Sequence, residues 1–258
     1  MMKRLFYLVL GLVVLAGCHK DGAEKEEVFT ENVSGVLFDM VYVKAGSFMM
    51  GASENDEEVF DWEMPEHQVT LTKDYYIGKH EVTQGLWKAV MGNNPSNFKG
   101  DDYPVEKVSW DNIQEFITKL NELTGKKYAL PTEAQWEYAA RGGKKNKGYK
   151  YSGSNDINEV AWYSDNSEGT THPVGLKKAN ELGLYDMTGN VWEWCQDWYD
   201  DYSSEAQIDP VGPEEGSNCV YRGGSWYNDA RRCRMSFRGY NEPDERYFYL
   251  GFRLVLLP

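Results

Sequence analysis

The side chains best able to do chemistry here are three late cysteines, a few isolated histidines and two acids flanking a tight glycine turn. Thiolates grip soft metals and attack electrophiles, so Cys195, Cys219 and Cys233 come first. Three thiols allow at most one internal bridge and leave one free, which excludes a disulfide-built scaffold; their spacing does not say which pair would join. Cys233 has two readings, a buried or bridged structural residue or a lone reactive thiol. Around it Arg231, Arg232, Arg234 and Arg238 form either an anion-attracting surface or partners for nearby carboxylates. The run His80-Glu81-Val82-Thr83-Gln84 lacks the second imidazole that a zinc-protease helix needs, because Gln84 stands in its place. His19, His67, His80 and His172 are isolated and read as structural. No phosphate-cradling glycine loop or nucleophile elbow is present in the sequence. The remaining constellation is Asp186-Met187-Thr188-Gly189-Asn190-Val191-Trp192-Glu193. Calcium takes six to eight hard oxygen ligands, and two carboxylates about a glycine that lets the chain curl back can provide some of them. The plainer reading is an ordinary turn with two exposed acids.

These residues need elements to position them. Val36 to Val43 and Gly46 to Met50 read as strands, followed by Gln68 to Thr72 and Tyr75 to Ile77. Thr83 caps a short helix that runs through Met91 and ends at Gly92. Ser109 caps a longer one, with Trp110, Ile113, Phe116, Ile117, Leu120 and Leu123 at helical spacing and Gly125 after its end. Thr132 and Gln135 form a capping box for a third helix, which Gly142 stops after Arg141. Beyond residue 142 the pattern is loops and short strands, finishing in Gly251-Phe252-Arg253-Leu254-Val255. The clusters at 162–166, 197–202 and 225–229 mix aromatic and acidic residues but are unevenly spaced, so they are not a repeat. No Pro- or Ser-rich linker divides residues 36–258, and one α+β domain is expected.

The N-terminus carries an address. Met1-Met2-Lys3-Arg4 is a short positive start, and Leu5 to Leu15 is an apolar run too short to span a bilayer, which needs roughly 20 residues, but suited to a signal-peptide core. Leu15-Ala16-Gly17-Cys18 resembles the lipobox of bacterial lipoproteins, which implies cleavage of residues 1–17, lipidation of Cys18 and a membrane anchor. Residues 18–34 are polar and read as a flexible tether to a domain at 35–258. The second mature residue is His19 rather than the aspartate of an inner-membrane retention signal, so an outer-membrane destination is expected. The 258 residues carry a formal charge of −14, with 18 Tyr, 9 Trp, 10 Phe and 25 Gly. Loss of Lys3 and Arg4 makes the mature chain more acidic still. That balance argues against nucleic acid as a partner, and the glycine–aromatic mixture suits an irregular, loop-rich fold.

Eight segments occur in an order that resembles the sulfatase-modifying-factor family, whose founding activity is formylglycine generation. They are MVYVKAGSFMMG (40–51), EVTQGLWKAVMG (81–92), PVEKVSWDNIQEF (104–116), ALPTEAQWEYAARGG (129–143), HPVG (172–175), ELGLYDMTGNVWEW (181–194), RGGSW (222–226) and GFRLV (251–255). The resemblance implies an irregular α+β domain related to C-type lectins, with little regular secondary structure. It also implies a calcium ion held by side chains at Asp186 and Glu193 and by carbonyls at Gly189 and Val191. The family's other calcium site has no match, because residues 163–171 are too short for it.

The family's oxidase holds copper between two cysteines five positions apart. Here the second corresponds to Cys233 and the first to Asn228, and the histidine after the first is Asp229. A carboxamide is a hard, neutral donor that does not suit Cu(I), so copper is not expected. Ser225 and Trp192 match residues of the family's active cleft, and Trp192 reads equally well as core packing. The expectation is a lipid-anchored module that keeps the cleft to hold a peptide, a glycan or a partner protein. The alternative is a formylglycine-generating or related oxidase working through another arrangement, such as Cys219 approaching Cys233.

Overall fold

Apolar residues recur along Val36–Val43 because the strand turns one face to the core and the other outward. The computed structural model describes residues 27–56 and 58–257. In chain order the strands are β1 (Val28–Val33), β2 (Val36–Val43), β3 (Gly46–Met50), β4 (His67–Leu71), β5 (Tyr75–Gly78), β6 (Tyr128–Ala129), β7 (Trp192–Trp198), β8 (Gln207–Ile208), β9 (Cys219–Arg222), β10 (Arg238–Asn241), β11 (Leu250–Gly251) and β12 (Val255–Leu256). The helices are α1 (Gln84–Met91), α2 (Trp110–Thr124), α3 (Glu133–Ala140) and α4 (Ile157–Val160). Three sheets form, in the orders β1-β2-β5-β12-β6, β10-β9-β7-β11 and β3-β4-β8. Most neighbours are antiparallel; β11 with β7 and β4 with β8 are parallel.

The caps act as their chemistry dictates. Thr83, Ser109 and Thr132 each accept the amide hydrogen bond of the residue three positions on, and Gln135 returns the bond to the Thr132 amide. Gly92 and Gly125 end α1 and α2 in the left-handed region. On α2, Ile113, Phe116, Ile117 and Leu120 are buried. Leu123 departs from the expected stripe and is exposed, because the last turn extends past the core.

A second correction concerns the tether. β1 lies inside the stretch 18–34 and pairs in full register with β2, from Val28 opposite Val41 to Val33 opposite Val36. Ser34 and Gly35, both at positive φ, make the two-residue hairpin turn between them. The folded domain therefore begins by Val28. The signal, the lipobox and the first part of the tether lie outside the described residues.

The interior holds paired charges as well as apolar side chains. Arg238 binds Glu133 through two 2.7 Å bonds, Arg222 reaches Glu137 and Glu133, Arg234 binds Glu63 and Arg253 binds Glu193. These pairs tie α3 to β9 and β10, and the 60–64 turn to the chain around Cys233. Arg253 sits on Phe252–Leu254, the short bridge by which the chain leaves the β7 sheet at β11 and enters the β2 sheet at β12.

Candidate functional site

The segment after β9 turns sharply at Gly223 and Gly224 and then packs back on itself. Ser225 Oγ donates to Asn228 Oδ1 at 2.6 Å, and the Tyr227 amide donates to Ser225 Oγ. Asp229 caps a single 3-10 turn, Ala230–Cys233, by accepting the Arg232 amide. Cys233 is fully buried among Tyr151, Ile157, Val160, Ala161 and Tyr163, and burial pushes its thiol up to about 12. Cys219 sits in a different cluster with Trp194 and Phe237, and burial lifts it also to about 12. Cys195 belongs to a third group around Trp136, and all three thiols are free. Cys219 and Cys233 therefore sit in separate clusters, and Cys233 is buried and unbridged.

Beside this turn opens a groove of about 510 Å³. Trp192, Tyr221, Phe237 and Tyr249 form its aromatic lining, and Asn228, Asp229 and Arg232 give it a polar edge. Trp192 is almost wholly buried against Tyr221 and Phe237, and its remaining surface lines the groove. Ser225 is fully buried and acts from behind, by orienting Asn228. At the mouth, Trp62, Tyr227 and Tyr240 are 41%, 62% and 48% exposed. Tyr227, Tyr249 and Tyr247 stack as nearly parallel rings, 6.0 and 5.1 Å apart. Gly239 in β10 is required for this lining: a Cβ there would come within 2.0 Å of the Tyr221 ring.

The second centre is acidic. Asp186 and Glu193 are both buried, so the reading of two exposed acids fails. Glu81, from the 80–84 run, joins them by accepting the Val191 amide and the Asn190 side-chain amide. Three buried carboxylates thus face one guanidinium, Arg253. Burial, reinforced by Asp186 and Glu193, raises Glu81 well above the usual carboxylate range, and burial lifts Asp186 to about 6. Asp186 Oδ2 accepts the Gly175 amide at 2.7 Å, whereas its Oδ1 is buried with no hydrogen-bond partner. Gly189 has φ +82°, and a Cβ there would meet the Trp162 carbonyl oxygen at 2.3 Å, so the hairpin tolerates no side chain. Excess negative charge and an orphaned carboxylate oxygen fit a cation. Glu193 fits it least, since its oxygens already bond Arg253 and Trp136. Among the described residues, no group of three or more His, Cys, Asp or Glu is arranged as a metal cluster.

A family model for the sulfatase-modifying factor enzyme 1-like domain matches residues 25–257. The chain belongs to this family. Among relatives, it is 34% identical to the chaperone protein LppX of Paenibacillus barcinonensis over 285 aligned residues, covering 91% of each chain. It is 35% identical to the formylglycine-generating enzyme of Thermomonospora curvata over 199 residues, covering 69% of this chain and 63% of that enzyme. Among solved structures, Treponema denticola variable protein 1 superposes with a TM-score of 0.83 at 35% identity, covering 90% of this chain and all of that one. PvdO from Pseudomonas aeruginosa gives 0.76 at 27% identity, covering 92% and 100%. The expected α+β family fold is the observed one.

Within this family fold each described histidine packs on an aromatic ring. His67 bonds the Pro65 carbonyl and packs on Tyr202, and His172 bonds the Ser167 carbonyl and stacks on Trp162 at 3.8 Å. His80 packs on Tyr185, and burial pulls its pKa down to about 4. Sequence reasoning missed Glu81 and Arg253 at the acidic centre, although an arginine inside the apolar run 251–255 is a signal that it answers a buried acid. It also missed Trp62, Tyr240 and Tyr249 in the groove, whose separation along the chain leaves no local pattern.

Proposed function

We propose that this protein is a lipid-anchored envelope module that holds a polypeptide in the aromatic groove and does not carry out copper oxidation. The observation that carries this reading is the state of Cys233: its thiol is sealed in an apolar cluster, and the residue five positions before it is an amide already bonded to Ser225. Two thiolates stabilise Cu(I) because sulfur is soft and anionic. Asn228 supplies neither property, and a thiol raised to about 12 must first lose its proton in an apolar site. The relative named as a chaperone, aligned over 91% of both chains, supports a polypeptide as occupant. The anchor is Cys18, at an outer-membrane surface.

A calcium ion belongs to the same proposal. It would be held by Asp186, through the orphaned oxygen, by the carbonyls of Gly189 and Val191, and by a shared oxygen of Glu193, with Glu81 adding charge. Its contribution is to neutralise buried carboxylates and fix the hairpin before β7, which carries Trp192 into the groove.

The deciding experiment is an anaerobic Cu(I) titration of the full-length chain, followed by aerobic incubation with a cysteine-containing sulfatase peptide. We expect no stoichiometric copper and no aldehyde product. One copper per chain with aldehyde formation would replace this reading with an oxidase, the activity named for the Thermomonospora curvata relative.

A further inference from the structure

The arginines around Cys233 are not equivalent. Arg234 is bound to Glu63 and Arg238 to Glu133, and both are buried. Arg231 donates to the carbonyls of Glu58 and Val59, and its guanidinium lies 3.6 Å from the centre of the Phe60 ring. Arg232 is exposed, and its guanidinium has no carboxylate or carbonyl partner among the described residues. Of the two arginines lining the groove, Arg238 is thus committed to the interior and Arg232 is the free one. The groove's exposed acid, Asp229, has one oxygen engaged by the Arg232 backbone amide, where it caps the 3-10 turn. The chain as a whole is strongly acidic, so a guanidinium without a side-chain partner among the described residues, lining the same groove as exposed Tyr227, stands out as the groove's anion-attracting group.

We propose that the groove selects polypeptide segments in which an aromatic or large apolar side chain is followed closely by a carboxylate, with Arg232 as the anion receptor. This rests on the polypeptide reading above and adds its specificity. Aromatic rings supply sequence-tolerant affinity by stacking, while a guanidinium offers a planar fork that matches a carboxylate. The acidic balance of the chain disfavours anionic segments in general, so a preference for a carboxylate has to come from Arg232 in the groove.

The test uses the full-length chain and three fluorescein-labelled, C-terminally amidated peptides of one sequence, Gly-Tyr-Trp-Gly-X-Gly, in which X is Glu, Gln or Arg. Fluorescence anisotropy should rank them Glu, then Gln, then Arg, with about fivefold between the first two at physiological salt. Arg232→Ala should erase the Glu–Gln difference without moving the melting temperature. Asp229→Asn, which retains a capping oxygen, should widen the difference. Tyr227→Ala should weaken the Glu and Gln peptides equally. If all three peptides bind alike, or Arg232→Ala leaves the ranking intact, the carboxylate preference is wrong while the polypeptide groove stands. If none binds and a soluble oligosaccharide does, the polypeptide reading falls and the preference with it.

Discussion

Replacing Arg238 by methionine removes one partner from a buried ion pair of the interior. The guanidinium makes two 2.7 Å bonds to Glu133, both side chains are nearly inaccessible, and the same group lies 3.7 Å from the Tyr202 ring centre. Methionine fills much of the volume and leaves Glu133 with a longer contact to Arg222 at 3.4 Å and the Tyr202 hydroxyl at 3.1 Å. Stripping one partner from a buried pair costs about 3–5 kcal/mol, and these residual contacts place this case near about 3. For a domain of this size each kcal/mol shifts the melting point by about 2–4 °C, so circular dichroism melts should show a drop of about 6–12 °C. The pH dependence has a fixed sign. Burial alone would raise Glu133, but the charges of Arg238 and Arg222 outweigh it and hold the carboxyl below its ordinary value. A depressed acid stabilises the fold above the ordinary carboxylate range and loses that contribution as pH falls through its folded value. The gap between wild type and Arg238→Met should therefore be widest near neutrality and shrink in acid. The double variant Glu133→Gln/Arg238→Met should recover part of the loss. A shift under about 2 °C, or a gap constant from neutral to acid pH, would refute this account of the interior.

Two further outcomes are expected. Chelator should lower the melting temperature of the wild type at neutral pH and leave Asp186→Ala unchanged; identical wild-type curves with and without chelator would remove calcium from the acidic centre. Glu106 is buried with Oε2 unpartnered, and burial lifts it to about 7, while Oε1 accepts the Asn97 and Phe98 amides. A raised acid loses stability as pH climbs from its unfolded value to its folded one, so Glu106→Gln should flatten that decline and gain about 1–3 kcal/mol above pH 7 in urea unfolding. A wild-type curve already flat over that interval would contradict it.

What could be read from the residues was local. Caps at Thr83, Ser109 and Thr132 and glycines at 92 and 125 mark helix ends because each satisfies or reorients neighbouring backbone groups. β1 was hidden by polar residues, although Ser34-Gly35 before an apolar alternation is a hairpin signal. The halves of the groove were legible only around Asn228. Trp62 reaches it because Glu63, next in sequence, is buried against Arg234, a pairing 171 residues long that no window of sequence displays. The acidic centre was half legible: the glycine turn announced Asp186 and Glu193, whereas Glu81 arrives from 109 residues away.

The bridge at Phe252–Leu254 has a consequence for how the molecule comes into being. β12 lies between β5 and β6, and β11 pairs with β7 at the edge of a second sheet, so one short bridge stitches two of the three sheets together. Without β12, β6 has no neighbour in its sheet, so that layer closes only when strands from distant parts of the chain meet. Assembly of this domain is therefore governed by pairings of high sequence separation, which slow folding.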